Sequence, residues 1–284
     1  VIAKINPERM SEFRELTSRL LQGNVVPVKT LRSYVGKAQS MASLLFVWRP
    51  FVAMLWGALY SDGVSKAPHN CIWTEQIIEP LTWLQAFLDQ TRGTVQREFF
   101  VASYYNRGTP IQIYVDACPT GIGGWMQIEG KPVAYFYDDI CACDKKVLCI
   151  DDSEDSKGQQ ALEALSLLVA MRVWLTYFKT SRVLVTVRGD NIAALYMMAK
   201  MQPKSKVLGT IAREIALDIA ELCYVPDFCE HVAGISNKTA DALSRFEEKG
   251  WHLPVSLSGI KRDQPEVRAV SYTHLRAHET HNDL

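Results

Sequence analysis

The amino-acid sequence predicts an α/β fold, a mixed five-stranded sheet flanked by helices and preceded by a small helical region. Three observations carry that expectation. Apolar residues recur at helical spacing in the first part of the chain and alternate with period two from Ile111 onward. Three short alternating runs are followed by helix, strand, helix, helix, strand and helix, an order that layers helices against a sheet. The apolar fraction of 48% is that of a chain that buries a core, which removes disorder as the default.

From Asn6-Pro7 to Gly23 the pattern is helical, with Phe13, Leu16, Leu20 and Leu21 on one side and Gly23-Asn24 as the stop. A second helix runs from about Val28 to Phe46 on the stripe Leu31, Val35, Ala38, Ala42 and Leu45. A third apolar segment follows Arg49-Pro50 and stops at Ser61-Asp62-Gly63. Pro68 to Thr74 reads as loop, and a helix containing Pro80 spans about Glu75 to Thr91. Beyond Gly108-Thr109-Pro110 the strands Ile111 to Val115, Trp125 to Ile128 and Val133 to Tyr137 form an antiparallel meander, with turns at Gly121 to Gly124 and Gly130-Lys131. An acidic loop, Asp144 to Lys157, leads into a long helix from about Gln159 to Phe178. Then come a strand (Val183 to Val187), helices (Asn191 to Met201 and Val207 to Glu221), a short strand (Cys229 to Val232) and a final helix (Asn237 to Glu247). The expected divisions are a helical region over 1–66, a helical linker over 67–108, the α/β domain over 109–249, an extended linker over 250–269 and a tail over 270–284.

Seven cysteines without a C-x-x-C pair argue against a disulfide framework and a zinc site, and fit a cytoplasmic or nuclear location. The chain begins with Val1, without a signal-peptide pattern, and reads as a fragment. The apolar run Met41 to Tyr60 carries Arg49-Pro50 at its middle, which argues for two soluble helices rather than a membrane span. The tail VSYTHLRAHET resembles translated read-through of a sequencing-library adapter, so the spacing of His274, His278 and His281 is not read as a metal site. Residues 1 to 50 hold eight Lys/Arg against three Glu, a local excess of +5 that suits either a phosphate backbone or a solvated helix face.

Four carboxylates stand out by position. Asp116 ends a strand that is otherwise apolar on one face, and Asp190 ends the strand Val183 to Val187, the edge at which open α/β sheets present ligand-binding groups. Glu163 sits in Gln-Gln-Ala-Leu-Glu-Ala-Leu, a helix apolar on nearly every side, where a charge needs a partner or a metal. Asp241 follows Asn237 by one helical turn. Taken singly, Asp190 reads as a helix cap, Asp116 as a turn former, Asp241 as a complement to a helix N-terminus, and Asn237 as the cap of the final helix.

The order of these motifs resembles the ribonuclease H domain of retrotransposon and retroviral polyproteins. The resemblance covers about half the chain, through YVDACPTGIGGW (Tyr114 to Trp125), QQALEALSLLVAMRVW (Gln159 to Trp174), VTVRGDNIAAL (Val185 to Leu195) and HVAGISNKTADALSR (His231 to Arg245). Residues 1 to 65, with LRSYVGKAQ (Leu31 to Gln39) and Arg49 to Phe51, are more weakly similar to the thumb and connecting helices of a reverse transcriptase. The resemblance implies a ribonuclease H-like sheet and an endoribonuclease that hydrolyses the RNA strand of RNA/DNA hybrids, with the upstream polymerase domain missing from this fragment. It implies two Mg²⁺ ions, Mn²⁺ being a substitute, about 3.5–4 Å apart, because such a pair clamps the attacking and leaving oxygens of a phosphodiester. Asp116 would bridge them, with Asp190 and Asp241 on one side and Glu163 on the other. His231 would assist proton transfer or product release. Lys204, Lys206, Arg182 and Arg188 are the expected phosphate contacts, with 2′-hydroxyls marking the RNA strand. Cys118 departs from the usual serine or asparagine, and the acidic insert departs further.

Three other readings stand beside this one. Phe136-Tyr137-Asp138-Asp139 fits a polymerase [FY]-x-D-D pattern, but no stretch with a partnering strand aspartate precedes it. An integrase or transposase would usually end its triad in Glu, where this chain has Asp241. A catalytically inactive connection domain would only grip hybrid, which the four retained carboxylates argue against.

Overall fold

The computed structural model describes residues 1–61, 67–99, 101, 105, 107–148, 150, 156–179, 183–222 and 227–265. Among these, 1–99 with 216–222 form one compact unit, and 101–215 with 227–265 form another. No helix of the described residues is long and apolar enough to cross a membrane.

The first unit contains β1 (Ile2–Lys4), α1 (Pro7–Gln22), β2 (Val25–Pro27), α2 (Val28–Ala42), α3 (Arg49–Tyr60), β3 (Cys71–Trp73), α4 (Ile78–Leu88) and β4 (Gln96–Glu98). Asn6 caps α1 by accepting from the Glu8 N–H, and Pro7 occupies the first helical position, where no N–H is needed. The expected stripe of α2 is buried, and its other face carries Lys29, Arg32 and Lys37 in solvent. Its core is aromatic: Phe13 stacks on Tyr34 at 4.6 Å, and Trp48, Phe51, Trp83 and Phe87 continue the cluster.

The second unit is built on β5 (Thr109–Ala117), β6 (Gly121–Ile128), β7 (Lys131–Asp139), α5 (Ala142–Leu148), α6 (Ser156–Val173), α7 (Leu175–Lys179), β8 (Val183–Gly189), α8 (Ile192–Lys200), the part of α9 (Lys206–Leu222) before Ala216, β9 (Phe228–His231), α10 (Lys238–Ser244) and β10 (Lys261–Arg262). The sheet order is β10-β7-β6-β5-β8-β9. The pairs β5/β6 and β6/β7 are antiparallel, while β5/β8, β8/β9 and β10/β7 are parallel. The sheet is therefore mixed as expected, with six strands rather than five. The additional strand lies in the stretch read as extended linker. Trp251, Leu253 and Ile260 pack around Tyr135, Leu243 and Leu257, and the Arg262 guanidinium lies 3.6 Å from the Tyr137 ring, which holds 261–262 against β7.

Period-two alternation assigns the faces. Ile111, Ile113 and Val115 are buried on the side packed by α6. On α6, every residue from Ala161 to Ala170 is buried, so the helix is enclosed on all sides. Glu129 and Gly130 both have positive φ, as a two-residue hairpin between β6 and β7 demands. The insert read as an acidic loop instead begins with α5. Cys141 and Asp144 cap each other there, since the Asp144 carboxylate accepts from the Cys141 N–H at 3.1 Å and the Asp144 N–H donates to Cys141 Sγ at 3.3 Å. Cys141 and Cys143 are also joined by a disulfide, against the expectation that none of the cysteines pair. That bond closes only a three-residue loop, too short for spacing to reveal.

Candidate active site

Three of the four singled-out carboxylates converge. Asp116 from the end of β5, Glu163 from the middle of α6 and Asp190 just beyond β8 each place one oxygen within 4.8 Å of the others. Parallel pairing of β5 with β8 brings the two strand ends together, and the seat of α6 on the sheet delivers Glu163. Asp116 and Glu163 are buried, Glu163 with only 4% exposure, while Asp190 reaches solvent. Burial, followed by repulsion from Asp116 and Asp190, pushes the Glu163 carboxyl up to about 9 despite hydrogen bonds from Gln159 and the Ala117 backbone. Burial also raises Asp116 to about 6, against a hydrogen bond from Ser244 that favours the charged form, with Asp190 and Asp241 adding repulsion.

Asp241 stands outside that 4.8 Å span. It lies in the first turn of α10, close enough to repel Asp116, but its Oδ1 accepts from Arg245 Nε at 2.8 Å and its side chain is 46% exposed. The ordinary reading of Asp190 as a helix cap does not hold, because Asn191 caps α8 by accepting from the Ala194 N–H at 3.0 Å. Asn237 occupies the N-cap position of α10 without making a cap bond. Its amide donates instead to Val115 O at 2.9 Å, tying the helix start to the residue before Asp116.

His231 is exposed on β9, paired in register with Gly189. The loop after it borders the cluster, since a Cβ on Gly234 would lie 3.2 Å from Asp190 Oδ2. Lys204, between α8 and α9, and Lys206, at the start of α9, are exposed, with Lys204 over the Tyr196 ring at 5.1 Å. Arg188 is held on the sheet by Glu230 and Gln112, each at 2.9 Å, and by Tyr114. Arg182 lies outside the described residues. Asp138 and Asp139 end β7 opposite Ile122 and Gly121, apart from the converging carboxylates.

Residue types alone did not single out two neighbours of the cluster. Gln159 Nε2 donates to Glu163 Oε1 at 3.0 Å and to Ala117 O at 2.6 Å, so one amide fixes the carboxylate to the strand. Ser244 Oγ lies 2.6 Å from Asp116 Oδ2. Their signal in the sequence is spacing only: Gln159 is one helical turn before Glu163, and Ser244 follows Asp241 by three residues.

No family model matches the chain, and no curated protein matches it by sequence. Solved structures give likenesses. Ribonuclease H1 from the halophilic archaeon Halobacterium salinarum NRC-1 is 17% identical over 48% of this chain and 96% of its own, with a TM-score of 0.36. LC11 ribonuclease H1, isolated from compost by a metagenomic approach, is 20% identical over 48% of this chain and 92% of its own, with a TM-score of 0.35. A foamy viral protease-reverse transcriptase in complex with RNA/DNA hybrid is 12% identical over 79% of this chain, with a TM-score of 0.31, and this chain spans 27% of its length.

Proposed function

We propose that the chain is a ribonuclease H, an endonuclease that hydrolyses the RNA strand of RNA/DNA hybrids, carried as a fragment of a retroelement polyprotein whose polymerase domain lies upstream. The observation that carries this reading is the convergence of Asp116, Glu163 and Asp190 within 4.8 Å, two of them buried. Carboxylates do not gather in a buried place without a cation or protons to offset their repulsion, and the raised Glu163 and Asp116 carboxyls express that cost. An all-oxygen donor set fits hard divalent cations such as Mg²⁺, with Mn²⁺ as a substitute. The substrate class rests on the motif order, above all HVAGISNKTADALSR.

In this reading Asp116, Glu163 and Asp190 would hold the cations, together with Asp241 if freed from Arg245. Bound divalent cations supply Lewis-acid stabilisation of the charge that develops on a phosphodiester. The protein's own part is orientation: Gln159 fixes Glu163, and Ser244 fixes Asp116. His231, exposed beside the loop that borders Asp190, would assist proton transfer or product release. Lys204 and Lys206 meet the substrate backbone, and Arg188, already committed to Glu230, lends its charge from the sheet face.

The test is cleavage of a labelled RNA/DNA hybrid by the full chain with Mg²⁺, beside Asp190→Asn. Cleavage abolished by that substitution and by chelation is expected. A wild-type chain that leaves hybrid intact, or an Asp190→Asn chain that cleaves it at the wild-type rate, overturns the proposal.

A further inference from the structure

The carboxylate cluster does not rest on its own residues alone. α10 seats its C-terminal end directly on the β5–β6 hairpin, and the seat is made by absent side chains. A Cβ on Gly123 would lie 2.5 Å from Ser244 N and 2.6 Å from Leu243 C, and one on Gly121 would lie 2.4 Å from Ser244 O. Those are backbone contacts that no rotamer change relieves, so both positions accept only glycine while α10 stays in place. Cys118, in the turn that joins β5 to β6, closes the seat by donating from Sγ to Ser244 O at 3.1 Å. The outcome is that one residue of α10, Ser244, is driven into the sheet at the level of Asp116. Ser244 is 1% exposed.

Ser244 Oγ has a single proton and two acceptors in reach, Asp116 Oδ2 at 2.6 Å and Asp241 O at 2.9 Å. A bond to an ionised carboxylate is the stronger of the two, and the shorter distance agrees. Among the described residues this is the only hydrogen bond to the Asp116 carboxylate. The bond therefore sets the rotation of the carboxylate, engages Oδ2 and leaves Oδ1 without a donor among the described residues.

We propose that Ser244 is a positioning residue that orients Asp116 for a divalent cation, through a hydroxyl placed by the Gly121 and Gly123 seat. The inference rests on the reading of Asp116, Glu163 and Asp190 as cation ligands. Hydrogen bonds to ligating carboxylates typically govern metal affinity by roughly 10–100-fold.

The experiment titrates Mg²⁺, and in parallel Mn²⁺, into the full chain by calorimetry at pH 7.5, with thermal unfolding of each chelated protein measured alongside. Ser244→Ala is expected to bind cation about 10-fold or more weakly while unfolding within a few degrees of wild type. Leu243→Ala, which empties a fully buried site on the same helix, is expected to unfold at a lower temperature and yet lose less affinity than Ser244→Ala. Wild-type affinity in Ser244→Ala overturns the proposal. So does an equal loss of affinity in Leu243→Ala, because general loosening of α10 then explains both. A wild-type chain that binds neither cation overturns this inference together with the metal-cluster reading, whereas normal binding in both wild type and Ser244→Ala removes this inference alone.

Discussion

Replacing Glu163 by Gln should stabilise the metal-free protein, although it removes a residue proposed to bind metal. The folded carboxyl is pushed up to about 9, and an unfolded glutamate titrates near 4.3. Between those values the unfolded chain is ionised and the folded chain must hold a proton. The contribution to stability is therefore complete below the unfolded value and is lost as pH rises toward the folded one. At pH 7 the loss approaches about 1.4 kcal/mol for each of roughly 2.7 pH units, or about 3–4 kcal/mol, and repulsion shared with Asp116 brings the expectation to about 2–4 kcal/mol. A glutamine escapes this penalty. Its Oε1 can still accept from Gln159, and its amide can donate to the Asp116 or Asp190 oxygens nearby. Thermal unfolding in chelator at pH 5, 6, 7 and 8 should show Glu163→Gln melting above wild type by a margin that grows with pH and reaches about 5–10 °C at pH 7. Saturating Mg²⁺ should narrow the margin, because a bound cation offsets the Glu163 repulsion that only the wild type carries. A variant no more stable than wild type at pH 8, or a margin independent of pH, would refute the argument that Glu163 is held near its neighbours at electrostatic cost.

Arg172→Ala removes the partner at 2.9 Å from Glu214, a carboxylate with no exposure, and should cost about 3–5 kcal/mol in denaturant unfolding. A loss under about 1 kcal/mol would show that other contacts of Glu214 carry the pair. Gly123→Ala forces a methyl against the backbone of Ser244 and Leu243 and should cost about 1–3 kcal/mol while also weakening Mg²⁺ binding, both read on one preparation. Lys204→Ala with Lys206→Ala should weaken hybrid binding and flatten its salt dependence, by close to one unit of slope for each lost phosphate contact. An unchanged slope would place the substrate backbone elsewhere.

The meander, the buried α6 and the two parallel strands were legible because each buries one face or all faces, and burial imprints a period on the sequence. Ile111, Ile113 and Val115 announce β5 in this way. β10 was not legible, since Lys261-Arg262 is too short and too polar to show alternation. Its place is fixed by Leu257, Ile260 and the Tyr137 ring, contacts made far along the chain. α5 was hidden for a related reason. Acidic composition suggested a loop, while Asp144 is in fact spent on capping, which only the reciprocal bonds with Cys141 reveal.

The site was legible to the extent that residues without a cheap structural role were singled out. Glu163 qualified from the sequence, because a charge on a helix buried on all sides has no solvent to face. Asp190 qualified only in the structure, once Asn191 took the cap of α8. Asp241 moved the other way: position and order argued for a ligand, but its carboxylate already has a partner in Arg245, four residues along the same helix, and such exposed pairs are worth only about 0.3–0.5 kcal/mol. A cation beside Asp116 and Asp190 would exert a far larger pull than that pair, so Asp241 can change partners at small cost. The three-carboxylate cluster is thus compatible with the proposed four-carboxylate motif, in which Asp241 would leave a weak surface bond to act as the fourth ligand. Arg245→Ala separates the alternatives: if Asp241 turns toward the cluster on cation binding, releasing it beforehand should tighten Mg²⁺ binding about two-fold, since roughly 0.3–0.5 kcal/mol is the cost removed. A loss of affinity would instead make Arg245 a support for the site and Asp241 a structural acid.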